Sequence, residues 1–412
     1  MRGRYIGQLG CRRGQLTCRR KRVTESASVS GGSRRPDGAR VTAGAQKPRA
    51  SSAARVPPRP RQETAAAHGG TATGTGAGAP APRAPAEDAP RPARRSTVGS
   101  CAGCACGPAG AAGRTKEPDV RDVAIIEAPS VLGLRPTGVE DLPGALLDAG
   151  LAEGLGAVRA GRVEPPGYDP VRDPVTGVLN APGIAAYSVA LADAVGDVLR
   201  AGRFPVVLGG DCSVLLGNLL ALRRGGRYGL LFLDGHTDFY QPAAEPAGEV
   251  ASMELALVTG RGPEVLTDLE GRRPLVRDED VVALGFRDTQ ESTAAGMQPL
   301  PPALHAMDLD AVRASGAAEA ARRAVGLLGR AGAGYWVHLD ADVLDDAVVP
   351  AVDYRLPGGL TREELETVLR TALTGRGAVG FDVTILNPRL DEGGVVTAGL
   401  TRCLLRAFTP EG

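Results

Sequence analysis

Asp234, His236 and Asp238 stand at alternate positions in Tyr228-Gly-Leu-Leu-Phe-Leu-Asp-Gly-His-Thr-Asp238, directly after a continuously apolar run. Residues two apart on an extended chain project to the same side, so two carboxylates and an imidazole can converge on one point. Tyr335-Trp-Val-His-Leu-Asp-Ala-Asp342 repeats the device with His338, Asp340 and Asp342 in alternation. Four carboxylates and an imidazole drawn from buried strand ends are hard to hold together without cations. Oxygen-rich sets with one or two imidazoles suit Mn²⁺ or Fe²⁺, and a carboxylate able to bridge two ions suggests a binuclear site. Two such ions acidify water and stabilise a tetrahedral intermediate, so the expected reaction is a hydrolysis.

Other polar residues end neighbouring apolar runs. Phe204-Pro-Val-Val-Leu-Gly-Gly-Asp-Cys-Ser213 closes with a Gly pair that permits a tight turn, then Asp211, Cys212 and Ser213. Ser213 is expected to cap the following helix. Val281-Val-Ala-Leu-Gly-Phe-Arg-Asp288 closes with Arg287 and Asp288. Asp211 and Asp288 also suit caps or turns. His338 lies one step deeper than Asp340, which leaves open a metal role and a hydrogen-bonded core histidine. His68 and His305 belong to no constellation, and His305 is expected in a loop.

Strands must deliver these groups. Apolar runs predict strands at Val123–Glu127, Phe204–Leu208, Leu230–Leu233, Val281–Phe286, Tyr335–Leu339 and Ala378–Leu386. Helix-period segments lie at Ile184–Ala201, Ser213–Arg223, Leu309–Gly329 and Arg362–Thr374. Strands alternating with helices predict one doubly wound, mostly parallel sheet covered on both faces. Ligands of such sheets sit beyond the carboxyl ends of the strands, where these polar residues fall. No internal repeat is evident.

The chain has 412 residues, 43% of them apolar, enough for a substantial core. Its formal charge of +1 hides an asymmetry: residues 1–115 hold 21 of the 48 Lys+Arg but only 5 of the 47 Asp+Glu. That segment has few large apolar side chains and is expected to be disordered, which places the domain boundary at 1–118 and 119–412. Its basic start has some likeness to a transit peptide or nucleic-acid-binding arm, but it lacks an amphipathic pattern and aromatic interleaving. An upstream extension from an over-long reading of a G+C-rich gene explains it more simply, and nucleic acid is not an expected partner. Cys101-Ala-Gly-Cys104-Ala-Cys106 has no second Cys/His pair at metal-finger spacing. Only Cys212 and Cys403 lie in the globular part, which implies no disulfide framework and fits a reducing cytoplasm. No signal-peptide core or membrane-spanning apolar run is expected.

In order and spacing, Gly138-Val-Glu-Asp-Leu-Pro-Gly-Ala-Leu-Leu, Gly209-Gly-Asp-Cys-Ser, Asp234-Gly-His-Thr-Asp, Asp340-Ala-Asp-Val-Leu-Asp and Asn387-Pro are similar to ureohydrolase signatures. The chain resembles that family, which includes arginase, agmatinase and formimidoylglutamase, from about Val123 to its C-terminus. The resemblance implies a three-layer α/β/α fold of the arginase/deacetylase type, two Mn²⁺ ions, a small guanidino or amidine substrate and a homo-oligomer. It implies that Asp234 and Asp340 bridge both ions, Asp238 completes one site, and His236 and Asp342 the other. Asp238 and Asp340 are thereby expected to serve catalysis as well as ligation.

Three departures qualify what the resemblance implies. The family's first ligand, a histidine, is Cys212 here; a thiolate favours Zn²⁺ or Fe²⁺ over Mn²⁺, and a merely packed cysteine is the other reading. In Gly248-Glu-Val-Ala-Ser-Met-Glu254 the family's proton-shuttling histidine falls on Ala251 and a substrate-holding Asn on Glu249. Ile385 stands where a carboxylate would hold the guanidinium. Glu249 and His338 are carried as candidate substrate-binding residues. The expected function is a metal-dependent hydrolase of linear amidines whose substrate is not plain arginine. The alternative is a catalytically reduced protein that keeps the fold for binding or assembly.

Overall fold

Eight parallel strands form one sheet in the order β2-β1-β3-β8-β7-β4-β5-β6 in the computed structural model, which describes residues 121–375 and 377–409. The strands are β1 (Val123–Ala128), β2 (Val158–Arg162), β3 (Phe204–Gly209), β4 (Gly229–Leu233), β5 (Val281–Leu284), β6 (His305–Met307), β7 (Tyr335–Asp340) and β8 (Ala378–Thr384). The helices in chain order are α1 (Leu142–Asp148), α2 (Leu151–Leu155), α3 (Ala181–Arg200), α4 (Val214–Gly225), α5 (Glu254–Val258), α6 (Glu264–Thr267), α7 (Thr289–Ala295), α8 (Leu309–Ser315), α9 (Ala317–Leu328), α10 (Arg362–Thr374) and α11 (Val395–Ala407).

Alternation along the strands sorts the core into two layers. Ile125, Val206, Leu208, Leu231, Leu233, Val337, Leu339 and Phe381 face the layer that contains α1 and α8 to α11. Ala124, Ile126, Val207, Leu230, Phe232, Ala283 and Trp336 face the layer that contains α3 to α5. The result is the expected three-layer α/β/α arrangement. After β3 the chain passes over two strand positions to reach β4, and β8 and β7 later fill the gap. The carboxyl ends of β3, β8, β7 and β4 therefore lie side by side, a crevice made by chain crossover.

Several expectations are corrected. The long helix expected at Leu309–Gly329 is two helices, broken at Gly316, whose φ of 80° is left-handed. β2, β6, α1, α2, α5 to α7 and α11 lie outside the expected segments: β2 is exposed at every residue and so lacks an apolar pattern, and β6 has three residues. His305 begins β6 rather than lying in a loop. The turn after β3 needs glycine for proximity, since a Cβ on Gly210 would lie 1.8 Å from the Ser130 carbonyl oxygen. Contrary to expectation, α3 is long and apolar enough by composition to span a bilayer; it is a core helix, with Ile184, Leu191 and Val195 packed in the second layer. The tail, its five cysteines and His68 lie outside the described residues.

Candidate metal centre

Each strand of the crevice delivers donors at its end. Cys212 follows β3, Asp234 follows β4, His338 and Asp340 lie on β7, and Thr384 closes β8. Glu254 enters from the first position of α5. Two groups of donor atoms result. In one, single atoms of Cys212, Asp234, Glu254 and His338 lie within 4.8 Å of one another, all buried; in the other, atoms of Asp234, His236 and Asp342 do the same. Asp234 belongs to both.

Local bonds fix the carboxylates. Asp234 Oδ1 accepts the His236 amide at 2.7 Å, Asp340 Oδ1 the Asp342 amide at 2.7 Å, and Asp342 Oδ1 the Gly235 amide at 3.0 Å. His236 Nδ1 lies 2.9 Å from Asp342 Oδ2. Cys212 Sγ donates to Asp340 Oδ2 at 3.0 Å and sits 3.0 Å from Thr384 Oγ1. Asp238 is buried with φ at 42°, a left-handed conformation of the kind held at functional sites.

Burial dominates the electrostatics. It pushes the carboxyls of Asp238, Glu254 and Asp340 well above their ordinary range, helped by the charge of Asp234 for the first two and of Asp342 and then Asp234 for Asp340. Asp234 is raised by burial and by Asp342. Burial also drives the Cys212 thiol well up, with Asp340 and Glu254 adding to it. At the other end, burial opposes charging of both His236 and Asp342, yet their attraction wins: the imidazole is raised well above its usual value and the carboxyl lowered. Asp234 Oδ2 and His338 Nε2 are buried without a hydrogen-bond partner, and both Glu254 oxygens are buried without a donor, their side-chain neighbour being the Asp238 carboxyl. Orphaned acceptors facing a thiol and carboxylates fit cations, which would reverse the rise in every one of these pKa values.

Of the expected ligands, Cys212, Asp234, His236 and Asp342 fall in the two donor groups; Asp340 falls in neither but bonds to Cys212 and to the Asp342 amide, and Asp238, also in neither, is buried against Asp234 and Glu254. His338 joins them, with a second-strand partner: its Nδ1 is 2.6 Å from Asp382 Oδ2. Glu249 does not enter either donor group. It is buried beside them in sequence but pairs with Arg135 at 3.4 Å and with the Tyr354 hydroxyl. Ala251 and Ile385 are both buried and present no ionisable group. Ser213 occupies the cap position of α4 without a side-chain cap bond; Asp211 instead accepts the Ser213 amide at 2.8 Å and the Ser130 hydroxyl at 2.7 Å. Asp288 occupies the cap position before α7 without a side-chain cap bond, and its carboxylate accepts from the Thr237 hydroxyl at 2.8 Å. Sequence reasoning missed Glu254. The only signal was an acidic residue heading the apolar run Leu255-Ala-Leu-Val258, where a charge has no core role.

The arginase family model matches residues 122–409. An arginase from Bacillus caldovelox is 28% identical over 288 residues, covering 66% of this chain and 93% of that protein. An arginase from Brevibacillus brevis is 31% identical over 204 residues, 49% of this chain and 67% of that one. The solved native structure of the Bacillus caldovelox arginase superimposes with a TM-score of 0.64 at 25% identity, covering 71% of this chain and 99% of that one.

Proposed function

The chain belongs to the arginase family, and on that premise we propose that it is a metal-dependent hydrolase cleaving a carbon–nitrogen bond of a linear guanidino or amidine compound other than plain arginine. The observation that carries this reading is the pair of donor groups sharing Asp234, with unpartnered buried oxygens turned into them. By the family resemblance, the residues that would hold the cations are Cys212, Asp234, His236, Asp238, Asp340 and Asp342. The oxygen-rich end suits Mn²⁺, and Cys212 favours Zn²⁺ or Fe²⁺ at its own end. The chemistry such cations supply is acidification of water at neutral pH and neutralisation of charge developing at carbon. The protein's part is to keep the centre dry and its donors fixed: Asp340 is held by the Asp342 amide, Asp342 by that of Gly235.

The substrate reading rests on what lies around the donors. Ala251 cannot carry a proton, so proton transfer to the departing amine falls to a donor-set carboxyl or to water. Ile385 offers no charge to a guanidinium, so the charge of a guanidino or amidine group would have to be answered by the donor-set carboxylates rather than at that position. Homo-oligomerisation remains part of the proposal on the family resemblance, and a cytoplasmic location on the scarcity of cysteines in the globular part.

Metal analysis of the purified chain, coupled to a screen for urea and ammonia release from guanidino and amidine compounds, tests the reading. A pair of divalent ions per chain and turnover of at least one compound is expected. Metal-free protein inert across the screen would instead support a catalytically reduced member of the family.

A further inference from the structure

We propose that Glu254 and His338 are metal ligands, so that the Cys212 end of the centre is a thiolate–imidazole–carboxylate site for a Zn²⁺- or Fe²⁺-class cation. Glu254 and His338 lie outside the ligand set that the resemblance implies. The inference deepens the reading of the same centre as a metal site and rests on it.

His338 is built as a ligand is built. Its Nδ1 faces Asp382 Oδ2 at 2.6 Å, and Asp382 Oδ1 is itself taken by the Trp336 indole and by Asn218 Nδ2 at 3.1 Å. A carboxylate so committed keeps the proton on Nδ1, leaving the Nε2 lone pair free. The ring is stacked on Phe232, with centroids 4.9 Å apart and planes 21° from parallel, so its direction is set. Nε2 is buried and has no partner; with Nδ1 engaged by Asp382, it is the nitrogen His338 has open to the group it forms with Cys212, Asp234 and Glu254. Carboxylate–imidazole pairs that present the second ring nitrogen to a cation are the usual support of metal-bound histidine.

Glu254 makes the same case by cost. The residue is 0% exposed, and neither oxygen meets a hydrogen-bond donor; its side-chain neighbour is another carboxyl, Asp238, so two buried acids face each other. A carboxylate buried in that way is tolerated where a cation answers it. Together these groups explain Cys212. The resemblance puts an imidazole at that position; here the imidazole comes from β7, two places along the sheet from β3, and a thiolate takes the vacated place. Sulfur, nitrogen and oxygen donors in one closed set are the preference of Zn²⁺.

X-ray absorption on the full chain loaded with one equivalent of Zn²⁺ tests this on the unmodified protein. A shell holding both sulfur and imidazole is expected; sulfur without imidazole, or no sulfur, overturns the assignment. Zn²⁺ titrations of His338→Gln and Glu254→Gln should show affinity at the sulfur-containing site reduced more than roughly 100-fold, and Asp382→Asn about 10- to 100-fold through loss of the ring's support. Unchanged affinity in folded His338→Gln and Glu254→Gln overturns it. Turnover is scored separately. A chain with the expected shell that releases neither urea nor ammonia from any compound refutes the hydrolase reading and leaves the ligand assignment standing.

Discussion

The two ends of the centre are balanced in opposite ways. At the His236 end the groups satisfy one another: imidazole meets carboxylate at 2.9 Å, and the backbone amide of Gly235 takes the other oxygen of Asp342. At the Cys212 end the thiol finds Asp340, while His338 Nε2 and Asp234 Oδ2 are left without partners and Glu254 faces only another carboxyl, Asp238. An end that neutralises itself persists whether or not a cation is bound; an end of orphaned acceptors depends on one. The contrast teaches that the Cys212 end, despite losing the expected histidine, is the more demanding of the two. A simple loss of function would have left a packed apolar residue there rather than a buried glutamate.

Asp340→Ala should have the largest effect, because Asp340 touches Cys212 and supports Asp342 and so joins the two ends. Turnover should fall below detection and uptake at both ends should fail in metal analysis. Retained activity in that variant would break the comparison and the functional reading together.

Metal removal should show the contrast as stability. At a free cation concentration 100 to 1,000 times the dissociation constant, binding stabilises the fold by about 2.7 to 4.1 kcal/mol. The pH slopes should oppose. In the metal-free chain, Asp238, Glu254 and Asp340 have folded pKa values above their unfolded ones, so the folded state binds more protons and stability falls as pH rises above the carboxylate range. His236, also raised, contributes stability fully present below its unfolded pKa near 6.5 and lost as pH rises through the folded value. Asp342, lowered, works the other way only as pH falls through its own folded pKa. With metal bound the ligands must be deprotonated, so stabilisation grows with pH. Thermal melts across pH with and without metal check this; parallel slopes would contradict it.

Ile385→Glu asks whether the surroundings, rather than the ends, set the substrate. A charge-assisted bond to a guanidinium is worth about 1.5 to 3 kcal/mol, so KM for cationic guanidino compounds should drop roughly 10- to 100-fold. With Ala251 unchanged, kcat should move little, and steady-state kinetics separate the two.

How much of this the chain revealed depends on where the signal was written. β1, β3, β4, β5, β7 and β8 were legible because strands buried on both faces are continuous apolar runs, and the alternating Asp234-His236-Asp238 and Asp340-Asp342 sets were legible because period two fixes their direction. Exposed β2 and three-residue β6 carried no such pattern. Glu254 was hidden because its meaning lies in a neighbour twenty residues away in the chain, Asp234, and in burial that no local pattern announces. His338 was visible but ambiguous until register placed it opposite Asp382 and Phe232, which turns a core histidine into an aimed one.

A change far from the centre sharpens the comparison by showing what neither end should feel. Thr361 caps α10 in a reciprocal box, its hydroxyl accepting the Glu364 amide at 3.1 Å while the Glu364 carboxylate accepts the Thr361 amide at 2.8 Å. α10 packs through Leu365, Val368 and Leu369 in the layer of α8 to α11, whereas Glu254 comes from α5 in the opposite layer. Thr361→Ala should therefore cost about 1 kcal/mol of global stability. The loss in thermal or denaturant unfolding should be the same with metal and without, and Zn²⁺ affinity should not move. If it did move, α10 would be coupled to the donors, and the division into a self-balanced end and a cation-dependent end would have to be redrawn to include the layer beneath them.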